Sequence, residues 1–407
     1  MIVGVICIVD YAIPMYVSRD IKDIFLKVEK AIDIVAVVGA RQSGKTTFLK
    51  QHMKDRKSSY LLFDDPDIRE LFDEDVKSFE LQYIAGNELT VLDEVQCCTD
   101  AGSKLKYLAD TGHRLWITSS SEVILSEEIL SYLVGRVSTL RLYPFSLSEF
   151  LRSKGTVAPT ERVLARSIWE HLVYGGYPKM VLEKDIEVKS ILLRDLYDTM
   201  ILKDVVRNFS IADQTSLERL VKLLALNCGS VVSYNSICSD LNLSFQTVIK
   251  YIDALKKSYL IFEVTPYFTN KTKEIVKQPK IYFIDTGLRN AVLNRFDESF
   301  DGCSFENYVL SELLKIGMMP KFWRTKSKSE VDFVLEFGSD VVPVEVKVSS
   351  GEKRIERSLR SFIDYYHPSN AIVVGYKIVK GTKMVNGCKV HFVDVVDLLE
   401  LAAKWKR

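Results

Sequence analysis

Short apolar runs alternate with amphipathic stretches over the first third of the chain. IDIVAVVG (32–39), SYLLFD (59–64), LTVLD (89–93), RLWITSS (114–120) and STLRLYP (138–144) are each apolar on both faces and give way to polar residues. Strands of that kind are buried from both sides, as in a parallel sheet covered by helices, so the pattern predicts a doubly wound α/β core. Helical periodicity takes over across 145–210, where Gly175-Gly176-Tyr177-Pro178 ends one helix and starts the next, and this part reads as a helical lid. Over 215–265 the order is helix, turn, helix, turn, helix, strand. SYNSICSDLNL runs into a turn, Ser244 caps FQTVIKYIDALKKS, and YLIFEVTPYF is a β run. That order predicts a winged helix. From 281 to 395 strands (KFWRT, EVDFVLEF, VVPVEVKV, AIVVGYK, KVHFVDV) mix with helices over 302–317 and 352–366. The predicted units are 1–150, 151–212, 213–268 and 269–407.

Composition fits this multi-domain division. The chain has 407 residues, 47% hydrophobic and 27% charged, the balance of folded rather than disordered protein. A formal net charge of +1 excludes a uniformly basic nucleic-acid coat but not local patches. Residues 64–80 carry eight Asp/Glu against two Lys/Arg, and 246–280 carry seven Lys against three acids. The seven cysteines contain no C-x-x-C pair, so a zinc site or disulfide framework is not indicated, and a reducing, cytoplasmic setting is expected. MIVGVICIVDYAIPMYV (1–17) contains Asp10 and Pro14, lacks a basic leading region and is too short to span a membrane. It reads as a terminal strand or a start-codon extension, with Met15 an alternative start.

Chemistry enters at residues 39–46. Gly39-Ala40-Arg41-Gln42-Ser43-Gly44-Lys45-Thr46, followed by Thr47, comes after an apolar strand and opens a helix, the setting in which this spacing cradles phosphates. The glycines let backbone N–H groups turn inward, Lys45 reaches the β- and γ-phosphates, and the Thr46 hydroxyl ligates Mg²⁺. Asp93 ends a buried strand at the sheet's carboxyl edge and is the expected second Mg²⁺ ligand. Glu94 is the expected base for the attacking water. Ser119 and Ser120 end the next strand, and Ser120 is the candidate sensor of the γ-phosphate. Arg136 is the candidate arginine finger, acting within the subunit or across an interface. ATP and Mg²⁺ are the implied ligands.

A second constellation lies near the C-terminus. Glu345 and Lys347 are two apart in the otherwise apolar strand VVPVEVKV and so share a face. A carboxylate and an ammonium there are costly to bury unless they serve each other or a metal. Asp332 on the neighbouring strand and Glu306 on the preceding helix add carboxylates, a donor set suited to Mg²⁺ and phosphodiester chemistry. Lys321, Arg324, Lys326, Lys328, Lys353, Arg354, Arg357 and Arg360 flank it and suit a phosphate backbone.

Taken together, SRDI (18–21), GARQSGKTT (39–47), LDEVQ (92–96), ITSSS (117–121), LVGR (133–136), LYPFSLSEF (142–150), GGYP (175–178), YFIDTGL (282–288), FEN (305–307), EVD (330–332) and PVEVK (343–347) resemble a family of archaeal and bacterial ATPases. Its members join an AAA-like, STAND-related core to a winged helix and a C-terminal domain of restriction-endonuclease-like fold (the DUF4143 type). The resemblance implies the nucleotide roles given above for Lys45, Thr46, Asp93 and Glu94, and places Glu306, Asp332, Glu345 and Lys347 on the nuclease-fold motif. Residues 1–16 extend beyond the usual start of members. Three function classes follow: an ATP-regulated nuclease, an ATP-switched DNA-binding regulator with an inactive nuclease fold, and a signalling scaffold whose C-terminal domains bind protein; candidate partners are duplex DNA, a protein or a second copy of the chain. No membrane association is expected.

Overall fold

The computed structural model describes residues 16–120, 129–156, 158–269, 274, 277–296, 299–350 and 352–406. The N-terminal stretch read as a strand or extension lies almost wholly outside them. The first five strands are β1 (Ile34–Val38), β2 (Ser58–Leu62), β3 (Leu89–Asp93), β4 (Leu115–Ser119) and β5 (Val137–Arg141). They form one parallel sheet in the order β2-β3-β4-β1-β5. Every residue of β1, β3 and β4 is buried, whereas β2 and β5 at the edges are largely half-buried. The two-faced apolar runs of the sequence are thus the three central strands, and the doubly wound core is present.

Helices Glu161–Tyr174, Pro178–Leu182 and Ile186–Thr199 follow, the last continuing as a π-helical segment Met200–Arg207. Helices Gln214–Leu226, Tyr234–Leu241 and Phe245–Lys257 then lead to β6 (Ile261–Val264), which pairs antiparallel with β7 (Lys280–Phe283). Ser244 accepts from the Thr247 N–H at 3.1 Å, the cap its sequence position requires. The β6–β7 pairing bridges the boundary drawn from the sequence at 268/269.

Strands β8 (Lys321–Arg324), β9 (Glu330–Phe337), β10 (Asp340–Ser350), β11 (Asn370–Ile378), β12 (Gly381–Val385) and β13 (Cys388–Val393) form a mixed sheet in the order β12-β13-β11-β10-β9-β8. Its centre, β10-β11-β13, is parallel and its flanks are antiparallel. Helix Arg357–Tyr366 crosses from β10 to β11. Among the described residues no helix is long and apolar enough to cross a membrane, and Cys97, Cys98, Cys228, Cys238, Cys303 and Cys388 are free thiols.

Side chains far apart in sequence interlock these units. The buried Asp285 carboxylate caps helix Thr286–Leu293 through the Leu288 N–H and also accepts from the Gly176 N–H at 2.8 Å. Asn290 donates to the Val173 carbonyl at 2.9 Å. Gly287 lies so close to helix Glu161–Tyr174 that a Cβ there would stand 2.5 Å from the Tyr174 carbonyl carbon and oxygen. A Cβ on Gly175 would stand 2.0 Å from an Asp285 oxygen. GGYP and FIDTGL are therefore the two halves of one backbone contact. Buried Glu312, on helix Gly302–Lys315, reaches further and accepts from the Leu147 N–H at 2.7 Å, close to the end of the first sheet. Because backbone rather than a flexible side chain opposes the new methyl, Gly287→Ala is expected to lower unfolding free energy by about 1–3 kcal/mol. Chemical denaturation of the full chain measures this, and an unchanged midpoint contradicts the interlock.

Candidate functional site

β1 delivers the chain to Gly39, where a Cβ would stand 2.2 Å from the Leu142 carbonyl oxygen. Gly44, with φ +98°, turns the loop into helix Lys45–Met53. Left-handed backbone of this kind suits glycine, and the turn aims the helix's first N–H groups into the loop. Arg19 holds the loop from behind. Its buried guanidinium donates to the Ser43 carbonyl (2.8 Å) and the Tyr143 carbonyl, and pairs with Glu149 at 3.0 Å. SRDI and LYPFSLSEF are thus legible as the rear wall of the phosphate loop.

Lys45 is buried and donates to the loop's own carbonyls, Gly39 at 2.9 Å and Ala40 at 3.1 Å. Burial pulls its ammonium below the usual lysine range, opposed by Glu94 and Asp93. Among the described residues the Ser43 hydroxyl is buried without a hydrogen-bond partner. An ammonium satisfied by carbonyls and an orphaned hydroxyl are groups that a phosphate oxygen would engage.

Asp93 ends β3 beneath this loop. It accepts from the Thr46 hydroxyl at 2.7 Å and from the hydroxyls of Thr118 and Tyr60. Burial, then contact with Asp93, pushes the Tyr60 phenol above its usual range. Glu94 follows in left-handed backbone with φ +61°, and its N–H donates to the Thr118 hydroxyl at 2.9 Å. Its carboxylate accepts from the Gln96 amide, which also donates to the Ser120 hydroxyl at 3.2 Å. Ser120 therefore meets Glu94 through Gln96 rather than directly. Arg41 leaves the loop in the opposite direction and forms a bidentate pair with Asp204 of Met200–Arg207, with distances of 2.9 and 3.1 Å. Burial raises the Asp204 carboxyl, and Arg41 counters that rise.

Thr118, Tyr60, Gln96, Arg19 and Asp204 complete the site without having been assigned to it from the sequence. Arg19 and Gln96 stand inside quoted motifs, SRDI and LDEVQ, which were signals that went unused. For Tyr60 and Asp204 there was none, since a tyrosine on an edge strand and an aspartate in a helix are ordinary.

The second constellation is also assembled. Glu345 and Lys347 pair at 2.9 Å on one face of β10, and Asp332 on β9 accepts from the Val346 N–H at 2.7 Å. Burial pushes Asp332 well above the carboxylate range, and Glu306 and Glu345 push it the same way. Glu345 is raised by burial, with Lys347 opposing. Glu306 accepts from the Tyr282 hydroxyl at 2.5 Å and from Lys280 at 3.2 Å, and Lys280 also pairs with Glu330 at 2.6 Å. Lys280 is thus a buried cation among the carboxylates that sequence reasoning counted only as part of a basic stretch. Among the described residues no three His, Cys, Asp or Glu side chains are gathered as a metal site, so the Glu306, Asp332 and Glu345 set is close-packed but not arranged around one point.

Comparison with known proteins finds three family models along the chain. A model described as an AAA domain matches residues 32–151, one for a domain of unknown function (DUF8612) matches 165–299, and one for DUF4143 matches 301–395. An AAA domain match is thus followed by a C-terminal DUF4143 match, the domain order of the AAA-like ATPase family that the sequence motifs resemble. An uncharacterised protein of Methanocaldococcus jannaschii is 28% identical over 398 residues, 92% of this chain and 87% of that one. One of Haemophilus influenzae is 26% identical over 78% of this chain and 83% of its own length. Among solved structures, the Walker-type ATPase PABY2304 of Pyrococcus abyssi is similar at 13% identity and a TM-score of 0.46, covering 68% of this chain and 96% of that chain. The phosphate loop, Asp93 and Glu94 fall within the AAA match, and Glu306, Asp332, Glu345 and Lys347 within the DUF4143 match.

Arg136 requires a correction. It precedes β5, and its carbonyl accepts from the Ile34 N–H at the start of β1. In a parallel sheet that is the amino edge, roughly 15 Å along the strands from the loop at the carboxyl edge. Its guanidinium pairs with Asp110 at 2.6 Å, and both side chains are partly exposed. A finger acting within the subunit is therefore excluded by position. Arg136→Ala is expected to leave nucleotide affinity and turnover of the monomer unchanged, read by ATP titration and phosphate release. A loss of turnover in dilute monomer contradicts this placement.

Proposed function

We propose that the chain binds ATP with Mg²⁺ at residues 39–47, hydrolyses it with Asp93 and Glu94, and uses the nucleotide state to control a DNA-directed C-terminal half. The observation that carries the ATPase reading is the contact of Thr46 with Asp93 beside a buried Lys45 whose ammonium is satisfied only by loop carbonyls. Magnesium suits this oxygen donor set; Thr46 and Asp93 would hold it, and it supplies charge neutralisation on the phosphates. Lys45 and the loop N–H groups bind and orient the phosphates. Glu94 orients the attacking water and takes its proton, and Gln96, bonded to both Glu94 and Ser120, sets where that carboxylate points. Lys45→Ala is expected to abolish tight ATP binding. Glu94→Gln should keep binding and lose turnover by about 100-fold or more. Calorimetric titration and phosphate release measure the two, and undiminished turnover in Lys45→Ala sinks the reading.

For the remainder, we take 151–212 as the lid, 213–268 with β7 as a winged helix, and the DUF4143 part as restriction-endonuclease-like. Helix Phe245–Lys257, with its exposed N-terminal residues Phe245 and Gln246, is the candidate reader of duplex DNA. Much of the lysine excess is neutralised, with Lys256 on Glu263 and Lys257 on Asp253. Lys250 is exposed, with its ammonium on the Ser210 carbonyl at 3.3 Å. Duplex binding should therefore weaken with salt and fall in Lys250→Glu. Gel shifts across a salt series decide it; no binding at low salt leaves the unit as a contact for a protein partner or another copy of the chain.

One observation favours cleavage as a second reading. Among the described residues a Glu345 carboxylate oxygen is buried with no hydrogen-bond partner, an acceptor that a divalent cation would satisfy once Glu306 and Asp332 turn toward it. Lys280 would have to release Glu306 for this, and Lys347 would orient water. Mg²⁺-dependent nicking of linear, nicked or branched DNA that vanishes in Asp332→Ala is the expected result. Protein that cuts none of them is a binding platform.

A further inference from the structure

Beside the second cluster runs a groove of about 930 Å³ between the β6–β7 unit and β8. Its walls combine two kinds of group. Lys277, Arg324 and Lys326 supply positive charge, and no acidic side chain is among its lining. Among the described residues Lys277 and Lys326 form no ion pair, so their charge is available to a ligand. Tyr365 supplies a ring that is 71% exposed in the last turn of helix Arg357–Tyr366.

That ring is braced. Tyr365 meets Tyr366 edge-on at 4.7 Å, and Tyr366 packs in turn on Phe362 at 4.5 Å and on Trp323 at 6.3 Å. Phe362 is fully buried and Trp323 nearly so, which fixes the base of the ladder in the core of the C-terminal sheet. An aromatic side chain exposed to this extent, held by a rigid aromatic support and bordered by unpaired lysines, carries out no packing role for the fold that burial would reward.

We infer that this groove binds single-stranded nucleic acid, with Tyr365 stacking on a base and Lys277, Arg324 and Lys326 following the phosphates. A duplex hides its base faces in its own stack, so an exposed ring can engage only unstacked bases, while the lysines engage any phosphate backbone. An acidic peptide would satisfy the cations but offers the ring nothing to stack on. The groove also leads to the carboxylates. Arg324 reaches Glu330 at 3.4 Å, Glu330 reaches Lys280, and Lys280 reaches Glu306. A strand lying in it is brought to the edge of the Glu306–Asp332–Glu345 cluster. The inference rests on the nucleic-acid reading of the C-terminal half and names the strandedness of its ligand.

The test uses the full-length protein in EDTA without nucleotide, so that binding is read apart from cutting and from ATP. Fluorescence anisotropy follows a labelled short oligothymidylate, its oligouridylate counterpart and a duplex of the same length, with polyglutamate as competitor. Single strands of either sugar are expected to bind, more weakly as salt rises. Tyr365→Ala should weaken them roughly tenfold or more, with Tyr365→Phe restoring affinity. Lys277→Glu with Lys326→Glu should weaken binding and flatten its salt dependence. All of these side chains are on the surface and outside the nucleotide site, so thermal melting and ATP turnover should match wild type and report on folding. Absence of single-strand binding at low salt overturns the groove, as does binding indifferent to Tyr365→Ala, or displacement by polyglutamate as effective as by unlabelled oligonucleotide. Duplex binding that still depends on Lys250 while single strands fail overturns the groove alone. Failure of both ligands overturns the nucleic-acid reading with it.

Discussion

The bidentate pair between Arg41 and Asp204 joins the phosphate loop to everything that follows it. Asp204 is almost fully buried, and its backbone carbonyl accepts from the Ser258 hydroxyl at 2.9 Å, in the turn between helix Phe245–Lys257 and β6. One residue of a π-helical segment thus touches both the nucleotide site and the unit read as a winged helix. A buried carboxylate losing its cation is left uncompensated, which is far more costly than breaking an exposed pair. An anion arriving beside Arg41 competes for the same guanidinium. Under the proposed function, this charge is where a bound nucleotide would act on the segment Met200–Arg207.

Further contacts tie the later elements together closely. Asp285, Asn290 and Gly287 hold helix Thr286–Leu293 against the lid at backbone distance, and Glu312 carries the contact to Leu147. Contacts between backbones and short buried side chains have little slack. Helix Gly302–Lys315 bears Glu306 on the same scaffold as Glu312. The nucleotide site and the second cluster are linked by packed elements and not by a linker.

Charge within the second cluster is balanced by a residue from outside the DUF4143 match. Lys280 lies on β7, in the region matched by the DUF8612 model, yet pairs with Glu306 and Glu330. Lys347 pairs with Glu345, and burial with the acidic neighbours raises the Asp332 carboxyl. The ammonium of Lys280 that pairs with Glu306 is carried on β7, the strand beside the aromatic groove.

By itself the sequence determined the elements whose physics is local. Two-faced apolar runs specified the central strands β1, β3 and β4, glycine and lysine spacing specified the phosphate loop, and strand alternation placed Glu345 with Lys347, because each depends on residues a few positions apart. Gly175 was readable as helix punctuation and Gly287 only as part of a motif, but each has its close partner more than a hundred residues away, Asp285 and Tyr174. Tertiary structure alone decided that Tyr60, Thr118 and Asp204 face the nucleotide site, that Lys280 enters the carboxylates, and that Tyr365 adjoins Lys277 and Lys326. It also moved Arg136 to the far edge of the sheet, since which end of a strand a residue occupies relative to a loop depends on strand order and direction. Sequence spacing carries periodicity; convergence of distant side chains is set by how the sheets and helices stack, and that is determined by the summed burial of the whole chain.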